Sequence, residues 1–302
     1  MNSSDFRRVA RERLAGKWGK AIGIVVCYML IIFVLSFIQG LLSTSIGWII
    51  SLAMFLIEVP LAYGLTMSLY KIFKNENTEV MDFMTEGFNN FSRSWGVALR
   101  VALKLILPII VLIIGIVFMM FGMAGAITSM FSPNSIDTSS LSGSAGLGVL
   151  LVLVGAIWYF VKSLSYAVAN IIAIDRPELS PKDAVEESKT LMTGKVGKYF
   201  ILCLSFIGWF FLVGLASGVF YQNELLQSIV SIIGYTLLVP YIQFATFAFY
   251  RYLTGDNITP NNQVHQTTAE TVKVEEETNP IVEENNSSEQ NNDNDNGPIN
   301  NM

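Results

Sequence analysis

Six long runs in this chain carry almost no charge, and of the five connections between them only alternate ones contain Lys or Arg. A helix needs about 20 apolar residues to cross the hydrocarbon core of a bilayer. Residues 21–42, 46–69, 105–125, 147–174, 199–220 and 225–250 meet that requirement. In water, runs that are apolar all round would need cover on every side. The pattern points to an all-α, polytopic membrane protein with six transmembrane helices.

Charge sets the expected orientation. Arg7, Arg8, Arg11, Arg13, Lys17 and Lys20 precede the first run, and Lys71, Lys74, Arg93, Arg100 and Lys104 separate the second from the third. Arg176, Lys182, Lys189, Lys195 and Lys198 separate the fourth from the fifth, and Arg251 follows the sixth. The other three connections contain neither Lys nor Arg. Basic residues beside spans stay cytoplasmic, so the expectation is three outward hairpins with both termini inside. Loops 43–45 and 221–224 are very short, whereas 128–145 is longer and rich in Ser and Gly, which predicts mobility.

Composition agrees. Of 302 residues, 52% are apolar and only 14% charged, with a mean hydropathy of +0.49. A soluble domain of this length needs more charge to cover its surface. The formal net charge of -5 conceals two parts. Residues 255–302 hold ten acidic residues and one Lys, a net -9, which leaves the membrane domain, residues 1–254, at +4. A basic body suits an anionic cytoplasmic leaflet, and nothing in this balance implies nucleic acid. The tail has too little apolar surface to offset chain entropy, so a disordered, acidic cytoplasmic segment is expected. The one histidine, His265, falls there and reads as exposed and idle. Cys27 and Cys203 lie within apolar runs, where they read as small hydrophobes rather than a disulfide or a metal site. No small-x-small cleavage site follows the first run, so it reads as a retained span.

A threefold construction is also legible. Gly16-Lys17-Trp18-Gly19-Lys20 before the first span echoes Gly194-Lys195-Val196-Gly197-Lys198 before the fifth, and Trp95-Gly96 stands ahead of the third. Upstream of each lie an Asp (Asp5, Asp82, Asp183) and an apolar stripe at helical spacing. The stripes are Phe6, Val9, Ala10, Leu14; then Val80, Phe83, Met84, Phe88, Phe91; then Ala184, Ser188, Leu191, Met192. They predict a cytoplasmic amphipathic helix before each hairpin. Ser180-Pro181 is a sound start for the third, with Ser as cap and Pro in the first turn. Val59-Pro60, Thr66 and Tyr70-Lys71 recur at identical spacing as Val239-Pro240, Thr246 and Tyr250-Arg251.

These residues carry a resemblance. Leu204-Ser205-Phe206-Ile207-Gly208-Trp209, residues 188–194 before it, Pro240-Tyr241 with Phe249-Tyr250, residues 11–20 and Ser165-Tyr166 resemble a bacterial integral-membrane family known as domain of unknown function 975. The likeness covers roughly residues 1–254. It implies a multi-pass protein of the bacterial cytoplasmic membrane and no particular activity. Where the family pattern has Pro-Gly ahead of Ser165-Tyr166, this chain has Trp158-Tyr159, which leaves open whether the family's helix break is kept there.

Few side chains invite chemistry. Glu58 stands well inside the second span, where a carboxylate is costly unless paired or protonated. Pro60 close by removes a backbone hydrogen bond and frees the carbonyl of Leu56. A proton- or ion-coupled site would use such an acid, and so would a neutral Glu hydrogen-bonded to a neighbouring helix. Lys162 in the fourth span either pairs with Glu58 or snorkels to the cytoplasmic interface, and the length of that span favours snorkelling. Lys17, Lys20, Lys195 and Lys198 are placed to grip anionic headgroups. Pro60, Pro108 and Pro240 are expected to kink their helices, and Gly214 with Gly218 to let helices pack closely. No His-Glu-x-x-His, phosphate loop, intramembrane His or paired intramembrane Asp occurs. No cofactor is indicated. The sequence supports a non-enzymatic scaffold or accessory protein that works through lipid and protein contacts. The alternative is a transporter or lipid-handling protein using the region around Glu58.

Overall fold

The computed structural model describes residues 1–41, 47–131 and 138–256, with side chains from 1–41, 47–124 and 143–256. Among the described residues the fold is all-helical. In chain order the helices are α1 (Ser3–Leu14), α2 (Trp18–Leu41), α3 (Gly47–Phe73), α4 (Asp82–Asn89), α5 (Phe91–Phe131), α6 (Thr138–Leu164), α7 (Ala169–Asp175), α8 (Pro181–Met192), α9 (Val196–Gly218) and α10 (Glu224–Leu253). Six stretches are long and apolar enough to span a membrane, on α2, α3, α5, α6 to α7, α9 and α10. The chain is a multi-pass membrane protein. Loop 43–45, residues 132–137 of loop 128–145 and the tail beyond residue 256 lie outside the described residues, while 128–131 and 138–145 belong to α5 and α6.

Burial divides the helices lengthwise. Exposed large apolar side chains run from Val26 to Leu41 on α2, from Trp48 to Leu56 on α3 and from Leu225 to Leu237 on α10. They also run along α5, α6 and α9. An apolar surface of this extent belongs in lipid. The remainder is a packed core. Residues 61–73 of α3 and 241–250 of α10 contribute the largest shares, with Ala21, Ile24 and Val25 of α2 and the short helices. Phe73 meets Phe244 and Phe247 edge-on, at ring-centroid separations of 5.5 and 5.7 Å. Phe6 of α1 meets Phe249 at 5.3 Å.

Stripes become buried faces where the sequence spaced them well. On α1 the buried residues are Phe6, Val9, Ala10 and Leu14, the same four as the stripe. They pack on α10 and α9, so protein rather than headgroup covers them. On α8, Ala184, Ser188 and Met192 are buried with Val185, while Leu191 is half-buried. The middle stripe departs from expectation, since only Phe83 is fully buried and Phe88 and Phe91 are exposed. The reason is backbone contact. A Cβ on Gly64 would stand 1.9 Å from the Phe83 carbonyl oxygen, and one on Gly87 would stand 2.3 Å from that of Pro60. α4 thus lies directly on α3 through two glycines, leaving its larger side chains to the flanks.

The turns after α1 and α8 match. Ala15 and Thr193 have φ, ψ of -54, 127 and -59, 124 degrees. Gly16 and Gly194 follow at φ of 75 and 72 degrees. These are type II turns, which need a residue that tolerates positive φ at the third position. Lys17 N–H and Lys195 N–H close them onto the Leu14 and Met192 carbonyls, at 2.8 and 2.9 Å. The middle unit differs, because α5 starts at Phe91 directly after α4 and Trp95-Gly96 sits within it.

The three aspartates share one role. Asp5 accepts from Asn2 N–H at 2.8 Å, Asp82 from Glu79 N–H at 2.7 Å and Asp183 from the Ser180 hydroxyl at 2.6 Å. Each partner is three residues upstream, the reach of a carboxylate in a helix's first turn. Ser180 also caps α8, accepting from Asp183 N–H at 3.2 Å.

Two expectations need correction. The run 147–174 is not one helix, because α6 ends at Leu164 and α7 begins at Ala169, with tight turns between them. No Pro-Gly is needed. The buried Ser188 of α8 donates to the freed Ser165 carbonyl at 3.1 Å, so a neighbouring helix supplies the missing hydrogen bond. Gly214 and Gly218 mediate no close packing, for nothing lies within 4 Å of a Cβ on either. Close approach occurs instead at Gly234 against Val213, and at Gly115, Gly122, Gly148 and Gly155 between α5 and α6.

Candidate functional site

The ends of α3, α7 and α10 bring a polar cluster together at the edge of the core. Tyr70 lies in the last turn of α3, Asp175 ends α7 and Tyr250 lies in the last turn of α10. The Tyr250 hydroxyl donates to Asp175 Oδ2 at 2.9 Å. Lys74 Nζ stands 3.7 Å from Asp175 Oδ1 and 2.8 Å from a Glu76 oxygen. The Asp175 side chain is only 13% exposed. Tyr70 packs edge-on against Tyr250, with centroids 6.4 Å apart, and its buried hydroxyl lies near the same carboxylate but outside hydrogen-bond geometry.

Bases frame this group. Each of the three residues is followed directly by one, Lys71, Arg176 and Arg251. Lys71 pairs with Glu86 of α4, which also accepts from the buried Ser68 hydroxyl at 3.2 Å. Arg176 pairs with Glu187 of α8. Arg251 pairs with Asp256 at 2.6 Å, and its guanidinium lies 5.9 Å over the Tyr70 ring. A charged group in a poorly solvated place is tolerated when it is paired and hydrogen-bonded. Here the pairing ties helix to helix.

Arg93 anchors the same region from α5. Its guanidinium donates to the carbonyls of Ala173 at 2.9 Å, Arg176 at 3.0 Å, Pro177 at 2.9 Å and Leu179 at 2.7 Å. Ala173 lies in the last turn of α7, which leaves its carbonyl without a helical partner, and the other three belong to the connection from α7 to α8. The planar fork of Arg suits such a fan of acceptors. By sequence, Arg93 counted only as one more cytoplasmic charge. A lone Arg near a helix start carries no signature of carbonyls that lie eighty residues downstream.

The residues singled out by sequence are dispersed. Glu58 is exposed and lies between Leu56, the last exposed large apolar residue of α3, and the buried Pro60. Tyr28 of α2 is within range of its charge. The carbonyl of Leu56, freed by Pro60, accepts from the Trp95 indole N–H at 3.2 Å, so α5 replaces the lost backbone donor. Lys162 lies on α6 with its Nζ 5.7 Å over the Trp158 ring. Among the described residues no ion pair or hydrogen bond joins Glu58 to Lys162. A cavity of about 410 Å³ does lie between α2 and α10, but Val26, Met29, Leu30, Phe33, Ile232, Tyr235 and Thr236 line it and neither charged residue does.

The four lysines assigned to headgroups all touch protein. Lys17 Nζ donates to the Ile72 carbonyl at 3.1 Å and to Asn75. Burial, and next the charge of Arg13, hold its pKa below the ordinary lysine value. Lys20 donates to Asn77 at 3.2 Å and Lys198 to the Tyr252 hydroxyl at 3.0 Å, while Lys195 lies 6.0 Å over the Tyr252 ring. Pro60, Pro108 and Pro240 all sit within helices that continue past them. Cys27 and Cys203 are free and half-buried. Among the described residues no group of three His, Cys, Asp or Glu could hold a metal ion.

Chemically, the cluster around Asp175 can hold helix ends together. No curated protein and no solved structure matches the chain. The model of the family described as "Protein of unknown function (DUF975)" matches residues 1–257, most of the chain, and the protein belongs to that family.

Proposed function

We propose that this protein is a non-enzymatic scaffold or accessory protein of the bacterial cytoplasmic membrane, working through contacts with lipids and protein partners. In this reading α2–α3, α5–α6 and α9–α10 are three hairpins, introduced by the amphipathic helices α1, α4 and α8, with both termini cytoplasmic. The placement of Lys and Arg supports that orientation. The matched turns at Gly16 and Gly194, and the shared role of Asp5, Asp82 and Asp183, support a repeated construction.

One observation carries the reading. The ionisable groups of the body fall largely outside the apolar runs, where Lys71, Lys74 and Arg176 near helix ends and Lys104 within α5 pair with acids on neighbouring segments, while the cavity between α2 and α10 is apolar. A route for a soluble substrate needs polar groups along the spans. The second reading, transport or lipid handling around Glu58, draws support from the lack of any ion pair or hydrogen bond on that carboxylate among the described residues.

Single cysteines along α2, α3 and α10, in a chain with Cys27 and Cys203 replaced, separate the two. A scaffold leaves residues 26–33, Glu58 and 230–237 unreactive toward a hydrophilic thiol reagent from either side of sealed vesicles. A continuous stripe of labelled positions through these helices would establish a passage and overturn the scaffold reading.

A further inference from the structure

A second groove, of about 520 Å³, runs along the outside of α9 and α10. Its floor is the contact between Gly234 and Val213, where a Cβ on the glycine would stand 2.6 Å from a Val213 methyl. Leu212 and Ala216 form one wall, and Val230 and Leu237 the other. From Val230 to Tyr241 the groove follows α10 for about 16 Å at the helical rise of about 1.5 Å per residue. At one end the lining changes character. Arg11 of α1 and Trp18 at the start of α2 close it, beside the edge-on pair of Trp209 and Tyr241, whose centroids are 6.4 Å apart.

Arg11 is the informative residue. It is exposed, and among the described residues its guanidinium makes no ion pair or hydrogen bond, whereas Arg8 on the same helix pairs with Asp5. Its helix carries Arg7, Arg8, Arg11 and Arg13 against two acids, Asp5 and Glu12. An apolar trough that ends on an unpaired guanidinium, with an indole at the mouth, is complementary to a molecule with a hydrocarbon chain and an anionic head. Tryptophan favours the headgroup level of a bilayer, and Arg binds phosphate through two donors.

We propose that this groove is a binding site for one anionic glycerophospholipid, its acyl chain lying between α9 and α10 and its phosphate on Arg11. The site gives the lipid contacts of the scaffold reading a specific address, and it rests on the membrane placement of that reading.

The test uses the full chain in liposomes doped with phosphatidylglycerol or phosphatidylcholine bearing a diazirine on one acyl chain. Photo-adducts are mapped by mass spectrometry. Phosphatidylglycerol adducts should concentrate on Leu212, Ala216, Val230 and Leu237. Arg11→Gln, a change at an exposed position, should reduce them roughly fivefold, the size expected for one basic residue acting on an anionic lipid. Ala216→Trp should fill the trough and remove them, with an unchanged melting temperature as control. Equal labelling of the groove by phosphatidylcholine, or labelling that both variants leave intact, would overturn the site. Adducts spread evenly over the exposed faces of all six long helices would overturn it too, while leaving the scaffold reading in place. No adducts on any helix would sink the membrane placement and both readings with it.

Discussion

Tyr70 and Tyr250 occupy matched positions in the sequence and face one carboxylate, yet they should respond oppositely to the same change. Tyr250 donates to Asp175, and Tyr250→Phe strands a largely buried carboxylate at a cost of about 1–3 kcal/mol. The Tyr70 hydroxyl is buried without a hydrogen bond, so Tyr70→Phe removes an unsatisfied group and should be neutral or stabilising. Thermal unfolding of both variants in detergent checks the pair, and equal losses would refute the asymmetry. Arg93 is the second test at this scale. Arg93→Ala removes four hydrogen bonds to carbonyls in and just after the last turn of α7 and should cost several kcal/mol. Arg93→Lys keeps the charge but loses the fork, so an intermediate loss is expected. Full recovery with Lys would mean that charge alone matters.

Elements dock here by backbone contact in some places and by ion pairs in others, and the two respond to different perturbations. Gly87→Ala forces α4 off α3 and should lower the melting temperature strongly, while Gly214→Ala meets open space and should be neutral or slightly stabilising through helix propensity. The sequence pointed to Gly214 and Gly218, because small residues four apart are a common packing signature. Which glycines face a neighbour depends on helix rotation, and spacing alone does not report that. The Lys104–Glu186 pair between α5 and α8 is exposed and should add little at neutral pH. The hydrogen bond from Lys104, and then its charge, hold the Glu186 carboxyl below its ordinary value of 4.5. A carboxyl whose folded pKa is depressed stabilises above the unfolded value and loses that contribution as pH falls through the folded one. Glu186→Gln should therefore be slightly less stable than the parent at neutral pH, and the difference should vanish in strong acid. A gap that widened on acidification would reverse the sign.

Across the whole molecule, the exposed apolar surface and the packed core occupy different lengths of the same helices. Glu58 sits at their boundary, not at the centre of the exposed band on α3, and Lys162 stands on α6, which packs on α5 and α9. The two should act independently. In a cycle of Glu58→Gln, Lys162→Gln and both, the stability changes should add to within about 0.5 kcal/mol. A coupling well above that would require a contact absent from this arrangement.

Six spans, the faces of α1 and α8, the start at Ser180-Pro181 and the opening of the Leu56 carbonyl by Pro60 were all legible in one dimension. Each rests on local chemistry: hydropathy over a helix length, periodicity of 3.6, a capping side chain, a missing N–H. The break at Ser165 was not, because the Ser188 hydroxyl that makes it tolerable arrives from another helix. Nor could the sequence show that Arg93 gathers carbonyls at and beyond the end of α7, that Lys17 and Lys20 turn to Asn75 and Asn77, or that Lys195 and Lys198 at the start of α9 meet Tyr252. Matched Tyr-Lys and Tyr-Arg pairs were visible as a repeat, but their meeting point at Asp175 was not. Hydropathy is a property of each residue and sums along the chain, so the sequence alone determined that this is a six-span helical membrane protein. Partnership between polar groups depends on distance between segments far apart in sequence, and only the tertiary packing of α3, α7 and α10 decided it.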